Sequence, residues 1–190
     1  MANKKLFQKL LKDYTDYNEK RHEMIKEASD ALKKSKQAIF SLHRGDMKEA
    51  EKLLKEIRVI FKKLKGWIKK EEGLKYEGVY RAALEEYVEG QMFYNFLKGE
   101  KIDFINDIEI GYEEYLSGLC DFTGELVRKA VVLVTEGKRE EIIRYKKVME
   151  QIIEELIKFD LVGKLRQKYD EAKRNLKRME EIFYDIKIRK

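Results

Sequence analysis

An all-α fold is what this sequence predicts: one domain over residues 1–190, built as a bundle of six or seven long antiparallel helices. Three observations carry the expectation. No proline occurs in 190 residues, and proline costs about 3 kcal/mol in a helix interior. Apolar residues recur at three- and four-residue steps, and no alternating strand pattern is present. Glycines stand where the periodic stretches end, as helix stops do. A chain of this length can bury roughly 70% of its unfolded surface. Its 43% hydrophobic content is too high for a disordered chain.

The first helix is expected from about Lys4 to Arg44, on Leu6, Leu10, Tyr14, Tyr17, Met24, Ala28, Leu32, Ile39 and Leu42. At 1.5 Å per residue it is about 60 Å long. A compact domain needs less, so part of it is expected to serve an interface. Gly45 stops it, and Asp46 with Glu49 forms a capping box for the second helix. That helix runs to about Lys70 on Ala50, Leu53, Leu54, Ile57, Ile60, Phe61 and Leu64. Gly73 and Gly78 break the pattern. A third helix covers about Val79 to Lys98 and stops at Gly99, and Glu100 to Glu109 reads as a loop. A fourth spans about Tyr112 to Thr135, closed by Gly137. A fifth covers about Glu140 to Phe159 and a sixth about Lys164 to Ile188.

Composition removes several function classes. A single cysteine, Cys120, excludes an internal disulfide framework and a cysteine-based zinc site. Two histidines, His22 and His43, are too few for a zinc site built mainly from histidine. The longest purely apolar run, Ala130 to Val134, is far short of a membrane span. The N-terminus has no apolar signal core, so a cytoplasmic chain with no membrane partner is expected. No GxxxxGK[ST] or GxGxxG string supports a nucleotide site. Heavy Lys and Glu usage with few Gln and Asn matches thermophile composition. The net charge of +6 is dispersed, with clusters at Lys62 to Lys70 and Lys164 to Arg178. Such clusters attract phosphate or form an ordinary solvated face.

Two acidic pairs stand out. Glu86 and Glu89 are three apart on the third helix and share a face with Ala82 and Phe93. Burying unpaired carboxylates there is costly, and a bound cation removes the cost. Asp121 and Glu125 are four apart on the fourth helix. Four carboxylates on two helices suit Mg²⁺ or Mn²⁺, hard ions that prefer oxygen. In a chain that is 41% charged, however, such pairs also arise on solvated faces. Asp121 and Glu125 point away from the apolar stripe Tyr112, Tyr115, Leu119, Phe122, Leu126, Ala130 and Leu133, on the side of Glu114, Gly118 and Arg128. A lone subunit is expected to carry them on its surface. Glu19 and His22 have the Glu-x-x-His spacing of di-iron bundles, which need two such motifs. His43 and Arg44 in SLHRG suit either a phosphate or the helix-end carbonyls. Cys120 is expected in the core, and Trp67 in packing more than base stacking.

Four strings, in order and at natural spacing, are similar to the translin family, and within it to the translin-associated factor X branch. KRHEMIKEASDALKKSKQAIFSLHR resembles the family's opening segment, which ends in Leu-His-Arg. YEGVYRAALEEYVEGQMFYNFL resembles the factor X segment built around Glu-Tyr-Val-Glu. DIEIGYEEYLSGLCDFTGELVRKAV resembles the Asp-Tyr-Leu-x-Gly region, followed by Asp-x-Thr-Gly-Glu-Leu-x-Arg. KLRQKYDEAKRNLKRMEEIFYDIKIRK resembles the C-terminal helix. Gly90 and Gln91 stand where the family often has Ala and another residue.

The resemblance implies an all-α subunit in a closed, roughly octameric shell, either a homo-oligomer or joined by a second translin-type subunit. It implies binding of single-stranded RNA and single-stranded DNA, and a Mg²⁺-dependent endoribonuclease site on the inner wall. The implied catalytic and metal-holding carboxylates are Glu86, Glu89, Asp121 and Glu125. Translin itself lacks this full set. A shell also explains a carboxylate pair that faces away from the subunit core. Arg21, Lys36, His43, Arg44 and Arg128 are the candidates for holding the strand, and Arg128 lies one turn from Glu125.

Overall fold

The computed structural model describes residues 3–106 and 108–188. It contains six α-helices: α1 (Lys4–His43), α2 (Met47–Ile68), α3 (Gly78–Leu97), α4 (Tyr112–Thr135), α5 (Ile142–Leu156) and α6 (Gly163–Ile188). Short 3-10 turns at Glu72–Tyr76 and Arg139–Glu141 lead into α3 and α5. No strand occurs among the described residues. The helix stops lie where the glycines predict. Gly45, Gly99 and Gly137 follow α1, α3 and α4 with φ of 80°, 84° and 78°. Asp46 accepts a hydrogen bond from the Glu49 amide at 3.0 Å, which caps α2.

The hairpins are antiparallel. Lys34 meets Glu56 at 2.7 Å and Lys63 meets Glu27 at 2.8 Å, so α2 runs back along α1. Arg58 donates to Tyr87 and Gln91 of α3. The step from α3 to α4 differs. Arg81 pairs with Glu113 and Glu114, Gly118 lies on Val88, and Phe122 packs on Phe93 and Phe96. Residue numbers rise together along the contact, so α3 and α4 are parallel. The physical reason is the segment 98–111. In extended form it reaches up to about 45 Å, enough to return along a helix of about 30 Å. Tyr115 fastens it by donating to the Asp103 carbonyl at 2.8 Å and accepting from the Ile105 amide at 3.2 Å.

Two further contacts position the site. The inner face of α1 is Met24, Ala28, Ala31, Ser35, Ala38, Ile39 and Leu42. Its small residues let α3 approach closely. A Cβ at Gly90 would lie 3.3 Å from Ile39 Cγ1. On the other flank α6 packs along α4, where Asn175 donates to Thr123 at 2.9 Å. The start of α1 leaves the bundle, and Leu6, Phe7, Leu10, Leu11 and Tyr14 are exposed.

The α3–α4 crossing is built around Gly118. A Cβ there would lie 2.5 Å from the Glu85 carbonyl oxygen and 2.7 Å from Val88 Cβ. Gly118→Ala should destabilise the protein by about 1–3 kcal/mol, because backbone must move. Gly66 lies within α2 with nothing inside 4 Å of a new Cβ. Gly66→Ala should instead stabilise by up to about 1 kcal/mol. Thermal melts of the two variants check the pair.

Candidate active site

α3 carries Glu86 and Glu89 toward α4, and α4 carries Asp121 and Glu125 back toward α3. The four belong to one electrostatic neighbourhood. Burial raises Glu89 to about 9, and the charges of Glu86, Asp121 and Glu125 add to the rise. Glu86 is also raised, first by burial and then by Asp121 and Glu125, with Lys36 opposing. Asp121 is raised by burial, against the pull of Lys168. Glu89 is 8% exposed. Among the described residues, neither Glu86 nor Glu89 makes a hydrogen bond or ion pair.

Two basic side chains, His43 and Lys168, flank the group. His43, at the last turn of α1, pairs through Nε2 with Glu125 Oε2. Its ring packs on Phe93 with centroids 4.9 Å apart. Its Nδ1 is buried with no hydrogen-bond partner among the described residues. Lys129 donates to the His43 carbonyl at 2.9 Å, which ties the end of α1 to α4. On the α6 side, Lys168 pairs with Asp121 and Lys164 with Glu85.

The wheel-based expectation that Asp121 and Glu125 lie on the subunit surface is corrected here. Their side chains are 25% and 18% exposed. Glu114 and Gly118 on the same flank are buried against α3. Tyr112, assigned to the apolar stripe, is 73% exposed. A stripe defined by residue type sees one packing partner. This helix has more than one, with α3 on its Gly118 side and α6 on its Thr123 side.

The strand-holding candidates divide. Lys36 is exposed and its charge reaches Glu86. Arg128 is exposed, 3.6 Å from Glu125. Arg44 is exposed beside His43, with its guanidinium over the Phe40 ring at 5.8 Å. Arg21 is not at the site. It pairs with Glu77 at 2.6 Å, about 33 Å along α1 from His43. Glu19 and His22 are exposed on that same outer stretch. Cys120 is buried, with its thiol pushed up to about 12 by burial. Trp67 is half-buried under Lys63, 5.0 Å from the ring. Lys168 is the site residue that sequence reading missed. The available signal was the i, i+4 pair Lys164 and Lys168 on one face of α6.

The donors are all carboxylate oxygens beside one imidazole, a chemistry that suits a hard divalent cation. As the side chains stand, no three His, Cys, Asp or Glu donors among the described residues form a ligating group. Asp121 and Glu125 are turned to Lys168 and His43. Holding a metal with all four carboxylates therefore requires these two side chains to turn.

The chain is similar in sequence and in fold to known proteins. The family model described as Translin family matches residues 19–190. An uncharacterised protein of Methanocaldococcus jannaschii is 30% identical over 155 residues, 79% of this chain and 68% of that one. Translin of Gallus gallus is 32% identical over 92 residues, 48% of this chain and 40% of that one. The translin-associated protein X homolog of Schizosaccharomyces pombe is 29% identical over 135 residues, 64% of this chain and 57% of that one. Among solved structures, AfC3PO in complex with duplex RNA matches with TM-score 0.89 at 28% identity, over 97% of both chains. A crystal structure of AfC3PO matches with TM-score 0.86 at 29% identity, over 97% of this chain and 98% of that one.

The raised Glu89 makes stability pH-dependent. Its pKa in the folded chain is about 9 against an ordinary 4.5. The neutral form is the one the fold tolerates, so its contribution is full below about pH 4.5 and is lost as pH rises to about 9. With EDTA present, the melting temperature should fall between pH 6 and 9. Glu89→Gln should flatten that fall and stabilise the protein by about 1–3 kcal/mol at pH 8.5. Melts at matched ionic strength check this, and an unchanged pH slope in the variant would contradict it.

Proposed function

The chain belongs to the translin family, and from that premise we propose that it binds RNA and cuts it, as a Mg²⁺-dependent endoribonuclease. The observation that carries the reading is the clustering of Glu86, Glu89, Asp121 and Glu125 in one half-buried field, with Glu89 raised to about 9. Such a field favours a bound cation and repels phosphate without one. The RNA-bound AfC3PO, so similar over 97% of the chain, supports RNA as the ligand class. Single-stranded RNA is the proposed substrate and single-stranded DNA a second ligand of the same surface.

Glu86, Glu89, Asp121 and Glu125 are the residues that would hold Mg²⁺, with Mn²⁺ as a substitute. Bound there, the ion supplies Lewis-acid activation of water and of the scissile phosphate. A carboxylate of the cluster takes the proton of the attacking water. Lys36, Arg44 and Arg128 are exposed cations, and this reading gives them the role of holding the strand. Assembly into a closed, roughly octameric shell is part of the proposal, from copies of this chain alone or with a second translin-type subunit. The exposed apolar side chains of α1, together with Phe104, Tyr112, Phe159 and Val162, support it, because clustered exposed apolar surface marks association.

A second reading, RNA binding without cleavage, is favoured by one observation. Lys168 and His43 already sit on two of the four carboxylates. A time course on labelled single-stranded and duplex RNA, with Mg²⁺ or EDTA, separates the two. The proposal expects cutting with Mg²⁺ only. Glu86→Ala and Asp121→Ala should each abolish cutting while RNA binding survives. Binding should weaken steeply with salt. Binding with no cutting under any divalent ion would select the second reading, and cutting that survives both substitutions would remove these residues from the mechanism.

A further inference from the structure

We propose that Lys168 is a positioning residue of this site, a tethered counter-ion that occupies Asp121 and that a divalent cation must displace. The inference rests on the metal reading above and adds the residue that sets the strength of metal binding.

The geometry is specific. The Lys168 ammonium contacts Asp121 Oδ2, and both side chains are only 25% exposed. Its charge also acts on Glu85 and Glu89, and Glu86 feels it in turn. It therefore serves the cluster as a whole, not one partner. Lys164, one turn earlier, already neutralises Glu85. Lys168 is thus the cation that α6 contributes to the carboxylate cluster.

Chemistry then decides what it can do. An ammonium on a four-carbon stem is a compact point charge that can withdraw without moving its backbone. Retreat of the side chain does not unseat α6. That helix is anchored separately by buried Tyr169, Ala172 and Met179, and by the Asn175 to Thr123 hydrogen bond at 2.9 Å. Without any cation the carboxylates would stand unneutralised in a half-buried cleft, at high cost. The same charge, left at Asp121, competes with a divalent ion for an oxygen ligand. One residue therefore stabilises the empty-handed carboxylates and weakens metal binding. A residue with a purely structural role would do only the first.

Lys168→Gln keeps length and polarity and removes the charge. Mn²⁺ binding by calorimetry should tighten roughly tenfold, the scale of one charge-assisted hydrogen bond. The Mg²⁺ concentration for half-maximal cleavage should drop in parallel. In EDTA the variant should melt at a lower temperature than the wild type, and saturating Mn²⁺ should close the gap. Lys168→Arg, which keeps the charge, should bind Mn²⁺ no more tightly than the wild type. A wild-type measurement stands beside the variants in case Lys168→Gln folds poorly. Acetylation of Lys168 by an amine-reactive reagent, read by peptide mass spectrometry, should be slow in EDTA and quicken with Mn²⁺. A wild type that binds Mn²⁺ with the same affinity as Lys168→Gln, or whose Lys168 reactivity ignores Mn²⁺, overturns the assignment and leaves the metal reading standing. A wild type that binds no Mn²⁺ overturns both.

Discussion

Four carboxylates cannot share a half-buried cleft without positive charge close by, and the site end of this bundle is organised around that constraint. The contrast with other buried acids is instructive. Glu85 and Glu114 are as buried as Glu89, and each has its own cation, Lys164 and Arg81. Glu89 has none, and burial drives its carboxyl to about 9. Partial neutralisation comes from two helices, Lys36 from α1 and Lys168 from α6, while His43 at the end of α1 pairs with Glu125. The deficit that remains is the physical basis for proposing a divalent cation at the site.

The architecture exists to bring those helices together. A run of simple hairpins would place α4 antiparallel to α3. The return segment 98–111 makes the two parallel, and Gly118 lets them touch at backbone distance. The small-residue face of α1 draws its C-terminal end onto α3, so that His43 packs on Phe93 and reaches Glu125. Loss of closeness at either crossing would separate the acids from their counter-ions. Packing and electrostatics at this end of the bundle are therefore coupled, and steric changes at Gly118 or Gly90 act on the site without touching a carboxylate.

Much of this was legible in the sequence. Helix order, the stops at Gly45, Gly99 and Gly137, and the Asp46 cap follow from local chemistry, which acts within a few residues. The acidic pairs were visible because i, i+3 and i, i+4 spacing is itself local. What was not legible depends on contacts between distant segments. The helical wheel of α4 placed Asp121 on an outer surface because a wheel holds no second neighbour, and α6 is that neighbour. Arg21 looked like a strand-holding cation until Glu77 claimed it. Lys168 looked like one member of a basic run, and its partner is 47 residues away in sequence. The parallel step between α3 and α4 left no pattern in either helix.

The central claim is that Glu86, Glu89, Asp121 and Glu125 form one divalent-cation site. Anomalous diffraction from crystals soaked in Mn²⁺ tests it most directly. The account predicts manganese density between α3 and α4, bounded by these four carboxylates, with Asp121 turned away from Lys168. Manganese located elsewhere, or none at concentrations that saturate binding in solution, would contradict it.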